Sequence, residues 1–250
     1  MTPAVAAFLL AVAFATAVLS GVFGMAGGLV LIGALAMVLP VSAALVTHGL
    51  LQIAANGWRA ALHRKHLQWR IVGLYAAGAA VAGGTVALLS YTPSRPLLYL
   101  LLGLVPWVNW LPRRIVELDA AKPPHAVACG LTVTGLNLTA GVAGPLLDIF
   151  FIRTRLTRHQ IVATKAGAQV FSHLAKVLVY GGPLIGAGGP GLPPAWVFAA
   201  GVGLAMAGTV LGGKILDRMS DHHFLRWARW ITTGIGAVYL AQAARLWLRA

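Results

Sequence analysis

Apolar residues fall in runs too long and too continuous for the core of a soluble domain. Runs of spanning length lie near residues 4–39, 41–62, 71–91, 97–111, 126–152, 160–180, 195–211 and 224–248. A bilayer crossing takes ~20 helical residues. The runs at 4–39 and 126–152 exceed one crossing, and each is interrupted by a glycine cluster. Each predicts two short helices or a helix followed by a re-entrant hairpin, and either returns the chain to its starting side. The first 21 residues resemble a signal peptide but lack its positive n-region, the first Lys or Arg being Arg59, so they read as a retained membrane segment. The fold class this predicts is an all-α integral membrane protein, a polytopic helical bundle.

The chain also repeats itself. At an offset of 117 residues more than 30 positions correspond without a gap. Gly24 falls on Gly141, Gly27 on Gly144, Thr47 on Thr164, Gln52 on Gln169 and Arg59 on Lys176. Polar residues also match at His48 with Lys165 and Asn56 with His173. The repeat divides the chain into a first transmembrane half at 1–112, a basic cytoplasmic linker at 113–124 and a second half at 125–250. Each half then holds one interrupted hairpin and three further crossings, an odd number, so the two are inverted repeats. Inverted repeats with broken helices mark secondary transporters, whose substrate sites lie between the halves.

Composition and charge agree. Of the 250 residues 59% are apolar and 10% charged, with a mean hydropathy of +0.82. A net charge of +14 would suggest nucleic acid in a soluble chain. Here 14 of the 19 Lys and Arg residues sit in four stretches between apolar runs, at 59–70, 113–122, 153–158 and 214–229. That is the pattern of cytoplasmic loops. The loops at 90–96 and 181–194 carry one Arg and none, which places them, and both termini, on the other side. The lone Cys129 belongs to no CxxC pair, and no metal, nucleophile or nucleotide motif is present, so neither a cofactor nor catalysis is expected.

The candidate chemistry lies at the breaks and on the helix after each. Gly24, Gly27 and Gly28 mark the first break; Gly141 and Gly144, with Pro145 behind them, mark the second. A broken helix exposes N–H groups and a positive dipole end that favour an anion; the alternative is that these glycines allow close helix packing. His48, Gln52, Asn56 and Arg59 share about 80° of one helix face, and Lys165, Gln169, His173 and Lys176 repeat the spacing. Thr47 and Thr164 lie beside the stripes. Intramembrane lysines face a cavity or a partner unless they snorkel to an interface, a course open to Lys165 and Lys176, and the shorter polar side chains can hydrogen-bond between helices. Asp148, the one acid inside an apolar run, reads as a proton-coupling group or as the partner of Lys165 or another base.

These residues resemble a known family. Gly24, Gly27 and Gly28 with Pro40 following, and the stretch 141–151 leading to Ala163-Thr164-Lys165-Ala166, are similar to the two repeats of the sulfite exporter TauE/SafE family. The similarity extends from about residue 14 to 213, with Met25-Ala26 and Pro145 standing where many members carry glycine. The resemblance implies a multi-pass transporter of the bacterial inner membrane, moving sulfite, sulfonates or related sulfur oxyanions with a coupling ion such as H+ or Na+. The sequence reading joins a small anionic substrate, the lipid bilayer and a homo-oligomeric partner copy, and excludes nucleic acid. Its competitors are a transporter of a different solute coordinated by Asp148, and a membrane-embedded enzyme or assembly subunit.

Overall fold

The computed structural model describes residues 1–23, 26–110, 118–217 and 221–248. Gly24 and the residues at 111–117 lie outside these. The described residues form ten α-helices: α1 (Pro3–Phe23), α2 (Ala26–Val38), α3 (Val41–Leu62), α4 (Trp69–Leu88), α5 (Arg95–Leu104), α6 (Pro123–Ala140), α7 (Gly144–Phe151), α8 (Arg158–Gly186), α9 (Ala195–Leu216) and α10 (Asp221–Trp247). Three of them, over Pro3–Val22, Trp69–Leu88 and Ala195–Ile215, are long and apolar enough to cross a bilayer by length and composition. The chain is a helical membrane protein.

The local sequence explains the boundaries. Prolines at the first or second positions open α5, α6 and α7, where a missing N–H costs nothing. Thr157 and Gln160 close a capping box on α8, the Thr157 hydroxyl accepting from the Gln160 N–H and the Gln160 side chain accepting from the Thr157 N–H. The fourth apolar run differs from its expectation. Instead of one helix to residue 111, α5 stops at Leu104 and a 3-10 segment follows over Val105–Trp110. Pro106 lacks the N–H that an α-helical turn would need there.

Both interrupted runs are a helix followed by a shorter helix that returns. α1 and α9 run parallel, Leu10 lying against Gly201, Phe14 and Ala17 against Gly208, and Gly21 against Gly212. The start of α1 therefore lies at the end of the molecule where α9 begins. α2 comes back to that same end: Pro40 packs on Gly191, and the Leu39 carbonyl accepts from Arg95 Nη2 at 2.9 Å. In the second half α7 brings Phe150 back beside the approach to α6, its carbonyl accepting from the Ala120 N–H at 2.8 Å.

Helix packing follows one exchange rule. The most extensive pairs are α1 with α9, α4 with α6, α3 with α8, and α5 with α10. Swapping α1 with α6, α3 with α8, α4 with α9 and α5 with α10 turns this set into itself. Small residues make the contacts close: Gly78 and Gly130 bring the α4 and α6 backbones together as Gly208 and Gly212 bring α9 to α1. The apolar core has one cluster around α2, including Ile32, Leu35, Leu45 and Leu98, and a second around α7, including Val133, Leu147, Phe150 and Phe151.

Candidate functional site

α3 and α8 cross at the centre of the bundle in opposite directions. Gly49 faces Val177 and the His173 carbonyl, and Gly57 faces Val170. α3 begins at Val41 and α8 at Arg158, so equivalent positions in the two helices keep the 117-residue offset. The two polar stripes thus face one another along this crossing.

Lys176 is the pivot of the group. Its side chain is fully buried, at 0% exposure. Nζ donates to the Gly141 carbonyl at 2.5 Å and to His48 Nδ1 at 3.2 Å. His48 Nε2 lies 3.1 Å from the Gly28 carbonyl. A carbonyl can only accept, so Nε2 carries the proton and Nδ1 offers its lone pair to the lysine. One chain of hydrogen bonds, Gly141 to Lys176 to His48 to Gly28, ties the end of α6 to the first turn of α2. It joins the second break to the first. Gly141 can present its carbonyl this way because it closes α6 with a left-handed φ of 80°, a conformation costly to a residue with a Cβ.

His173 and the Gln52–Asn56 pair lie beside this chain. The His173 ring stands edge-on to His48 with centroids 5.3 Å apart, and its Nδ1 is buried with no hydrogen-bond partner among the described residues. Asn56 Nδ2 donates to Gln52 Oε1 at 3.1 Å, and the Gln52 amide lies over Gly28, where a Cβ would come within 2.8 Å of it. The hydroxyl of Thr47 and the Oδ1 of Asn137 are also buried and unpartnered among the described residues. Every one of these side chains is buried, so the group is closed to water. No carboxylate pairs with Lys176 among the described residues. A buried cation held only by neutral acceptors is an incomplete electrostatic arrangement.

The other expected residues are placed differently. Lys165 pairs with Asp148 across α7 and α8, with side chains 21% and 44% exposed. Asp148 is thus a partner of Lys165, and neither belongs to the central group. Thr164 accepts from the Gln68 N–H at 3.1 Å and fastens α8 to the start of α4. Gln169 is half-buried on α8. Gly27 packs closely on α1, since a Cβ there would lie 1.9 Å from the Thr16 carbonyl. Gly144 is the buried first residue of α7, and Gly24 lies outside the described residues.

Three hydroxyls escaped the sequence reading. Ser172 Oγ lies 2.5 Å from the Tyr75 hydroxyl and 2.6 Å from Thr134 Oγ1, joining α8 to α4 and α6. Ser172 adjoins His173 in sequence, but nothing in the stripe spacing singles out Tyr75 or Thr134. A groove of about 760 Å³ between α4 and α8 is lined largely by apolar residues such as Gly84, Ala87, Leu178 and Leu184, and lies apart from the Lys176 group.

Compared with known proteins, the chain matches the family model described as "Sulfite exporter TauE/SafE" over residues 9–240. No curated protein and no solved structure matches it.

Proposed function

Because the chain belongs to the sulfite exporter TauE/SafE family, we propose that it carries small sulfur oxyanions, such as sulfite or organosulfonates, across the bacterial inner membrane, with the Lys176 group as the binding site. The observation that carries this reading is Lys176 itself, a buried lysine bonded to a carbonyl and an imidazole, with no carboxylate beside it among the described residues. An entering oxyanion supplies the missing negative charge. Its oxygens accept several charge-assisted hydrogen bonds at once, each stronger than a neutral one.

The neighbours divide the work by their chemistry. Lys176 supplies charge, while His173, Gln52, Asn56 and Thr47 supply hydrogen bonds. His48, freed when Lys176 turns to the anion, can present Nδ1 as an acceptor to a protonated oxygen of hydrogen sulfite. Binding breaks the Gly141–Lys176–His48–Gly28 chain and so loosens the tie between the two breaks. That couples occupancy to movement of one half against the other, the alternating access of inverted repeats. The exchange rule in the packing and the opposed run of α3 and α8 support this arrangement.

The test is sulfite uptake into proteoliposomes, with taurine and sulfate as competitors. Wild type is expected to show saturable uptake, and Lys176→Met to lose it at least a hundredfold while still inserting and purifying normally. Uptake by Lys176→Met at the wild-type rate would overturn the site. No saturable anion flux in wild type would overturn the substrate class and favour a transporter of another solute.

A further inference from the structure

Exchange of equivalent positions turns the central pair into a second pair. His48 corresponds to Lys165 and Lys176 to Arg59. The contact between His48 of α3 and Lys176 of α8 therefore marks Lys165 of α8 and Arg59 of α3 as the equivalent pair of positions, on the other side of the crossing. Eleven residues separate His48 from Arg59 on α3, so the two pairs lie roughly 16 Å apart along the helix.

Three observations give this second pair a character of its own. Arg59 Nη2 is sealed from solvent and has no hydrogen-bond partner among the described residues, a costly state for a guanidinium nitrogen. The positive charges of Arg59 and Lys165 lie within electrostatic reach of each other. Lys165 is already bonded to a carboxylate, Asp148, which is 44% exposed. The position equivalent to Asp148 in the first half is Leu31, buried in the core. Thus, among the described residues, the pair at His48 and Lys176 has no internal anion, and the pair at Arg59 and Lys165 has one.

We propose that Arg59 and Lys165 form a second oxyanion station on the same path, at the opposite end of the α3–α8 seam, with Asp148 as a tethered carboxylate that competes with the passing anion for Lys165. The station rests on reading the Lys176 group as an anion site. While Asp148 holds Lys165, one net positive charge remains at the pair. When the half-exposed carboxylate turns to water, two cations face the anion, and the planar fork of Arg59 can bind two of its oxygens. Unguarded, the pair holds the anion more tightly; with Asp148 back on Lys165, it hands the anion on.

Sulfite titration of the full-length protein in detergent, by calorimetry, separates the stations. Lys176→Met silences the central one. Adding Asp148→Asn to it is expected to tighten the residual sulfite binding at least tenfold, because Lys165 loses its internal competitor, and adding Arg59→Gln is expected to abolish that gain. In the native background, where Lys176→Met folding is not at issue, Asp148→Asn should add a second sulfite-binding step and Arg59→Gln remove it, each variant keeping a cooperative melting transition. Equal binding with and without Asp148→Asn, or a gain that persists in Arg59→Gln, would overturn the station and leave the Lys176 site standing. Absence of sulfite binding in wild type would instead remove the reading on which the station rests.

Discussion

Ser172 shows how much one small side chain can organise inside a bilayer. Its hydroxyl meets those of Tyr75 and Thr134, so three helices share one junction. Hydrogen bonds between membrane helices are worth about 0.6 kcal/mol on average. Tyr75→Phe removes one of them and should lower the melting temperature slightly. Ser172→Ala removes both of its bonds, so it should lower it further. Equal melting of the two variants in detergent would show that the serine does not link the others. His63, just beyond the end of α3, offers a second test. Partial burial, reinforced by His159, His66 and Arg59 and opposed by Asp217, holds its pKa below the usual histidine value. The unfolded chain then binds the proton more readily than the folded one, so stability should fall as the pH drops below about 6.5. His63→Gln should flatten a melting curve taken between pH 7.5 and 5.5, and an unchanged slope would assign the loss to other groups.

At the level of elements, contact is set by where a Cβ fits. A Cβ on Gly78 would lie 2.1 Å from the Val127 carbonyl, whereas at Gly84 it would meet nothing within 4 Å. Gly78→Ala should therefore push α4 off α6 and melt the protein at least several degrees lower, while Gly84→Ala should leave it unchanged. Similar melting of the two would mean that this seam contributes little. The elements themselves were largely legible in the sequence, because hydrophobic length and glycine clusters reflect what a bilayer demands locally. Less legible was what each polar residue would meet. Lys165 and Lys176 occupy similar contexts in the chain, yet one finds Asp148 and the other a helix end. That depends on α7 being short enough to carry Asp148 past Lys165, and on Gly141 turning its carbonyl inward. Pro106 could have foretold the early end of α5, but its apolar neighbours masked it.

The end of the molecule where α9 begins is closed by a few contacts, one within the first half and one between the halves. Arg95 bonds the Leu39 carbonyl, and Pro40 packs on Gly191. Removing the guanidinium should favour conformations open at that end. A cysteine placed at the buried Ala43, beside Gly191, should label with maleimide faster in Arg95→Ala than in the parent. Equal rates would mean that this end is held by packing alone.

The place equivalent to the Tyr75, Thr134 and Ser172 junction holds no hydroxyls in the first half. Thr134 corresponds to Ala17 and Ser172 to Ala55, and these alanines cluster with Ala205 of α9. Methyl groups meet without directional bonds, whereas the hydroxyls meet only in one alignment. One flank of the bundle is held by close packing of small residues and the other also by hydroxyls. In the alternating-access reading proposed above, the flank fastened by hydroxyls is the expected fulcrum.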